Sequence, residues 1–333
     1  MQALGFALRE EAVRQTLTAD VLKSSAIEGE FLDKEEVRSS IARRLGMEAA
    51  GLPSADRHVE GVVEMTLDAT RKFGEPLTSE RLLAWHASLF PTGRSGMRKI
   101  LVGAWRDYQS GPMQVVSGME GRERVHYQAP AAARLDAEMK TFLDWFNGEG
   151  DIDPVLKAAL AHLWFVNIHP FDDGDGRIAR AIADMSLARS ENTPQRFYSM
   201  AAQIRLEQTA YYDMLESTQK AELDVTPWME LFRGFVDRAF KGAEKTLSSV
   251  LRKAEFWRTH ATTPLKDRQR DMINRLLDGF EGKLSSSKWA TIEKCSADTA
   301  LRDIADLVER GLLWKNEGGG RSTSYSLATD AAE

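Results

Sequence analysis

The chain is poor in what secreted and membrane proteins need. One cysteine, Cys295, among 333 residues excludes an intramolecular disulfide and fits a reducing cytoplasm. No run approaches the roughly 18 to 20 uncharged apolar residues of a membrane span. The opening MQALGFALREEAVRQ places charges where an export signal needs its apolar stretch, so no such signal is read there. Charge of one sign is also scarce. A net charge of −6 argues against wholesale coating of nucleic acid and leaves only local basic patches open. Long-period repeats are missing as well. What is present is 43% hydrophobic residues, ample for a core and enough for two or three domains. The expectation is a soluble, intracellular enzyme or regulator.

Helical periodicity dominates the pattern. Thr16 to Gly29 carries Leu17, Val21 and Leu22 before a glycine stop. DKEEVRSSIARRLG follows, with Asp33 as N-cap and Gly46 as C-cap. SADRHVEGVVEMTLDATRKFG and TSERLLAWHASLF each open on a capping residue. From Gly96 to Pro130, β-branched and aromatic runs broken by Gly and Pro predict a hairpin or an extended flap. Helices resume at AAARLDAEMKTFLDWFN and at DPVLKAALAHLWFVNI. The second has Asp153 as N-cap, Pro154 at its first position and apolar residues all round, as a buried central helix requires. Beyond a boundary near Thr262 to Pro264, three short helical patterns precede two strands around a glycine turn. That is the order of a winged helix-turn-helix. The expected architecture is mainly α with one short β-element in its larger part.

One stretch carries more chemistry than packing needs: NIHPFDDGDGRIARAIAD, Asn167 to Asp184. Gly174 and Gly176 flank Asp175 just before a helix, where backbone N–H groups and the helix terminus suit a phosphate. Arg177 and Arg180 lie three apart, on one helix face, where two guanidinium forks can hold further phosphates. Asp173 offers an oxygen ligand suited to magnesium. His169 can take a proton from a hydroxyl attacking phosphorus. Taken singly, these residues also make ordinary turns and solvated helix faces. Their conjunction points to phosphoryl or nucleotidyl transfer.

HPFDDGDGR resembles the Fic family signature, HPFx(D/E)GNGR, with eight of nine positions compatible. The resemblance implies a helical Fic domain that transfers AMP from ATP to a Ser, Thr or Tyr hydroxyl of a protein. It implies His169 as general base, Phe171 as the loop's anchor, Asp173 as magnesium ligand and Gly174 to Gly176 around the α-phosphate. Arg177 and Arg180 would address the β- and γ-phosphates, and pyrophosphate would leave. The departure is Asp175, where the family has Asn. A carboxylate beside phosphates costs energy unless it points away, is neutralised by the metal or is protonated.

SSAIEGE resembles the family's inhibitory motif, (S/T)xxxE(G/N), through Ser24, Glu28 and Gly29. Ser24 and Glu28 share a helix face. The resemblance implies that Glu28 pairs with Arg180 and obstructs the γ-phosphate, or helps a water remove AMP; a surface Glu before a capping glycine is the structural alternative. VLKSSAIEGEFLDKEEVRSSIARRLG also resembles the N-terminal region of many bacterial Fic proteins. MQVVSGMEGRERVHYQAP resembles the Fic flap, whose edge would pair with an extended piece of the target, within about residues 97–127. Tyr211 and Tyr212 resemble the family's adenine-side tyrosines, although such aromatic pairs also serve as core.

The implied organisation is an N-terminal inhibitory region over 1–50, a Fic catalytic domain over 51–255 and a winged helix-turn-helix over 262–333. From Phe256 to Glu333, twelve Lys and Arg balance twelve Asp and Glu. The recognition-helix candidate, Ser296 to Arg310, sets Asp298, Asp303, Asp306 and Glu309 against Arg302 and Arg310. DNA readers normally present a basic face. Arg302, Lys315 and Arg321 leave DNA contact open beside protein contact or homo-oligomerisation. The leading reading is a self-inhibited protein adenylyltransferase using ATP and Mg2+. Its rivals are a transcriptional regulator using the Fic core as a nucleotide sensor, and a hydrolase removing AMP.

Overall fold

The computed structural model describes residues 6–47, 52–108, 111–117, 124–221, 223–280, 282–316 and 323–328. Two compact units divide the chain, Met1–Thr246 and Leu247–Glu333. The division falls inside one helix, at a stretch, 243–259, that has neither glycine nor proline to mark it.

Helices build the first unit. α1 (Phe6–Ile27) begins ten residues before the expected start. Its buried stripe mixes Ala12, Val13, Leu17 and Val21 with Thr16, Asp20 and Ser25, and those polar members dilute the apolar period on which a sequence reading depends. α2 (Lys34–Arg44) is capped by Asp33, whose carboxylate accepts from the N–H groups of Glu35 and Glu36. α3 (Arg57–Arg71) and α4 (Ser79–Leu89) follow, capped by Asp56 and Thr78. α5 (Leu135–Asn147) leads to α6 (Pro154–Ile168), where Asp153 accepts from Val155 and Leu156 as expected.

α7 (Asp175–Glu191) packs along α6 at the centre of the unit, and α3 packs on α7. Both central helices are buried on nearly every side, with Phe165, Ile178, Ile182 and Met185 fully buried. α8 (Met200–Leu206) lies against α1, and α9 (Gln208–Lys220) precedes the long α10 (Thr226–Thr259). Trp228 of α10 is fully buried and donates its indole N–H to the Ala159 carbonyl of α6.

Where one β-element was expected, the described residues of the first unit hold two antiparallel pairs. The unforeseen one joins β1 (Arg94–Ser95) to β2 (Arg98–Lys99), two residues each and too short to show a period. β3 (Gln114–Ser117) and β4 (Arg124–Gln128) form the flap, bulged between Val115 and Val116. Residues 118–123 of the flap lie outside the described residues.

In the second unit, α11 (Asp267–Leu277), α12 (Ser286–Ile292) and α13 (Ala297–Glu309) precede the pair β5 (Leu313–Lys315) and β6 (Tyr325–Leu327). Met272, Ile273, Trp289, Ile304 and Leu312 form its core. Asp303 of α13 points inward, fully buried, onto Lys266 and Arg268. Arg321 lies outside the described residues.

Candidate active site

The chemistry-bearing stretch folds into a short loop between α6 and α7. His169 caps α6 with φ +49, its N–H bonded to the Phe165 carbonyl. Gly174 caps α7 with φ +88. A Cβ at Gly174 would stand 2.9 Å from Phe90, so backbone and neighbour both require glycine. The N–H groups of the first turn of α7 have no carbonyl within the helix to bond, as at any helix start.

Side chains from distant elements fix the loop. Phe171 is fully buried and stacks on His86, with ring centroids 4.1 Å apart and planes within 4°. The Gly103 N–H donates to His86 Nδ1, so His86 Nε2 carries the proton and donates to the Asp173 carbonyl, 3.2 Å away. Burial lowers the His86 imidazole to about 4 and keeps it neutral. Arg98 and the Leu101 N–H hold Asp172. The Asp173 carboxylate accepts from the Gly174 N–H and from the Ser95 hydroxyl. Arg106, only 4% exposed, donates from Nε to the His169 carbonyl at 2.7 Å and from Nη2 to the Pro130 carbonyl. Its backbone N–H takes the Pro170 carbonyl. None of His86, Ser95 and Arg106 carries a local signal, since each acts across 60 residues or more.

His169 is set up to accept a proton. Its Nδ1 faces the Val166 carbonyl at 3.4 Å, which leaves Nε2 with the lone pair. Burial is the main cause that drops this imidazole to about 4, so it is neutral near pH 7. Asp175 settles where the unusual carboxylate goes. It is buried, accepts the Phe171 N–H at Oδ1 and brings Oδ2 to 3.3 Å from His169 Nε2. Burial first, and the charge of Asp173 after it, push its carboxyl well above the usual range. Burial thus works against charge on both partners of this contact.

Both arginines of α7 turn to one side and both are buried, Arg177 at 1% and Arg180 at 3% exposure. Arg180 donates from Nη2 to Glu28 Oε1 at 2.8 Å and from Nε to Ser24 Oγ at 2.9 Å. The same Glu28 oxygen stands directly over Gly176, where any Cβ would collide with it. Arg177 donates from Nη1 to Glu30 at 2.5 Å. That residue escaped the sequence reading, although it is the second carboxylate of EGE. Behind it, His58 Nε2 lies 3.2 Å from the same Glu30 oxygen, and His58 Nδ1 faces the Leu89 carbonyl. Burial alone would raise Glu30; His58 and Arg177 outweigh it and hold the carboxyl below its ordinary value. Arg177 Nε and Arg180 Nη1 are buried with no hydrogen-bond partner. Such donors are costly unless an acceptor reaches them.

The two tyrosines part company. Tyr211 is 2% exposed, and its hydroxyl shares a hydrogen bond with the buried His162, so it belongs to the core and offers no face to a base. Tyr212 is 41% exposed, with its hydroxyl donating to the Ile27 carbonyl at the end of α1. On the flap, Arg124 and His126 of β4 both reach Glu216 of α9. Among the described residues no cluster of three or more His, Cys, Asp or Glu is arranged to hold a metal. No described helix is long and apolar enough to cross a membrane.

Residues 76–187 match the Fic/DOC family. The chain carries a Fic domain. Residues 1–47, which include the segment with Glu28 and Glu30, match a domain of unknown function, DUF4172. Protein adenylyltransferase fic-1 of Caenorhabditis elegans is 28% identical over 184 residues, which are 55% of this chain and 34% of that protein. Protein adenylyltransferase Fic of Culex quinquefasciatus is 25% identical over 243 residues, 69% of this chain and 42% of that one. The chain thus spans between a third and a half of these curated relatives. Among solved structures, a Fic family protein from Desulfovibrio desulfuricans superposes with a TM-score of 0.53 at 24% identity, over 98% of this chain and 89% of that one. A Fic domain containing signaling protein from Bacteroides thetaiotaomicron gives 0.53 at 21% identity, over 76% and 93%. These two show a shared Fic fold.

Proposed function

We propose that this Fic-domain chain is a protein adenylyltransferase whose nucleotide site is held closed by its own N-terminal segment. The observation that carries the reading is the buried, partly unpartnered arginine pair at the start of α7, beside a neutral His169. A triphosphate supplies the missing acceptors: the α-phosphate against Gly174 to Gly176, the outer phosphates on Arg177 and Arg180. The hydroxyl oxygen of a target protein attacks the α-phosphorus, the bond to pyrophosphate breaks, and the hydroxyl proton passes to His169 Nε2. Arg106 holds the carbonyl of His169 while this happens.

Magnesium fits the residues present. Asp173 is a hard oxygen donor fixed by Ser95 and Gly174 beside the phosphate cradle, and Mg2+ commonly binds through one carboxylate plus phosphate oxygens. When bound, it would offset phosphate charge. The target enters along the flap by strand addition, with main-chain bonds giving affinity. The second unit, with Asp298, Asp306 and Glu309 outward in the stretch 296–310, is read as a winged helix suited to protein contact more than to DNA.

Glu28 is the brake. Its carboxylate occupies Arg180 and the space over Gly176, so it competes with phosphate by substituting one anion for another. Glu28→Gly is expected to raise self-labelling from labelled ATP and Mg2+ by about tenfold or more, equivalent to about 1.4 kcal/mol. Mass spectrometry after incubation with mixed nucleotides identifies the group transferred. Equal labelling of both proteins would remove the brake, and no labelling of either would remove the activity. AMP release from a modified protein, lost with Glu28, would turn the assignment to hydrolysis.

A further inference from the structure

We propose that Glu30 is a second gate, separate from Glu28, that sets how strongly the site prefers nucleotides with more than one phosphate. The inference rests on the nucleotide reading above and adds a residue to it. Arg177 and Arg180 are each met by a different carboxylate, and these belong to residues two apart. Glu28 takes Arg180 and leaves Arg177 untouched. Glu30 takes Arg177, the shorter of the two ion pairs, at 2.5 Å against 2.8 Å.

The two contacts are built to open separately. Gly29 stands between them at φ +82, with open space around its Cα, so the segment turns there instead of continuing α1. Glu28 remains bound to the helix end through its N–H on the Ser25 carbonyl. The Glu30 N–H also reaches that carbonyl, and its carboxylate meets His58 on α3 as well as Arg177. Glu30 and His58 further line a cavity of about 390 Å³ together with Phe90, Arg94 and Ser95. The carboxylate can swing from Arg177 into this space, keep His58 as its partner and leave the backbone where it is. A purely structural ion pair would need no such exit.

The charge accounting makes the gate selective. Arg177 is 1% exposed, whereas the Glu30 side chain is 33% exposed. Losing the carboxylate leaves a buried guanidinium without an anion, which is costly until another anion arrives. A phosphate beyond the first is that anion. AMP has none to give, so Glu30 weighs on ATP and ADP and leaves AMP alone.

The test measures equilibrium binding of ATP, ADP and AMP with Mg2+ to full-length Glu28→Gly and to Glu28→Gly/Glu30→Gln. The double variant is expected to bind ATP about tenfold tighter than the single one, the size of one released charge-assisted contact. ADP should follow ATP, and AMP should stay within about twofold. In thermal melts without ligand, the double variant should fall below the single one and recover more with ATP than with AMP. Unchanged ATP affinity, or an equal gain for AMP, would overturn the gate. Nucleotide failing to bind either variant would overturn the adenylyltransferase reading as well, so the two failures are distinct. If Glu30→Gln does not fold, Glu30→Asp keeps the charge and draws it back by one methylene. It must then also favour ATP over AMP, or the proposal fails.

Discussion

α7 and α13 solve opposite problems with buried charge. In α7 the charges inside are cations, Arg177 and Arg180, and the anions that meet them come from the segment just after α1. In α13 the charge inside is an anion, Asp303, met by Lys266 and Arg268 at the start of α11. The difference lies in what is left over. Both Asp303 oxygens are engaged, and its ion pairs reach out to solvated cations. The α7 arginines keep buried donors with nothing to bond, and their carboxylates come from side chains about a third exposed. A satisfied buried charge holds a fold together. An incompletely satisfied one, reachable from outside, is a place for a ligand.

Three experiments test that distinction from its strongest side downward. Arg106→Lys keeps a cation and loses the fork that grips the His169 carbonyl. In the Glu28→Gly background, kcat for self-labelling should drop by about tenfold or more, since small misplacements of a reacting group are expensive. KM for ATP should stay nearly constant, because Arg106 touches the histidine and not the arginine pair. An equal loss in both would mean that the loop has simply collapsed. On the other side, Asp303→Ala should destabilise the second unit by about 1 to 2 kcal/mol, less than for an ion pair buried on both sides, since Lys266 and Arg268 can turn to water. It should leave labelling by the first unit unchanged. A loss of labelling at full stability would break the comparison.

The mildest effect concerns Asp20 on α1. Burial, then the charge of Asp184, raise its carboxyl to about 7 despite Arg196 and the Ser199 hydroxyl bonded to it. The folded chain keeps this proton up to about pH 7, whereas the unfolded chain releases it near the ordinary value of 3.8. Folding stability from this group is therefore fully present below pH 4 and is lost as pH rises toward 7. Asp20→Asn should remove that slope, so the variant gains Tm relative to the parent between pH 5 and pH 8. Parallel curves for the two proteins would contradict it.

Much of this was readable in advance, for identifiable reasons. Asp33, Asp153 and Pro154 mark helix starts because caps act within three residues. The central helix, the loop from His169 and the Glu28–Arg180 contact were expected, and all three are present. The start of α1 was misjudged because Thr16 and Asp20 are polar residues inside. The burial of Tyr211 was not legible because a tyrosine looks the same in sequence whether its hydroxyl meets a ligand or His162.

The sequence by itself determined the local devices: where helices begin and end, the left-handed glycine before α7, and two arginines one turn apart on the same face. These follow from periods and caps that operate over a few residues. Only the tertiary structure decided that Glu30 sits on Arg177 from 147 residues away, that Arg106 grips His169 from 63, and that Asp175 is turned inward, where burial pushes its carboxyl up. Those outcomes depend on which groups are brought together and how much water is left between them, and neither quantity is carried by residue order along a single segment.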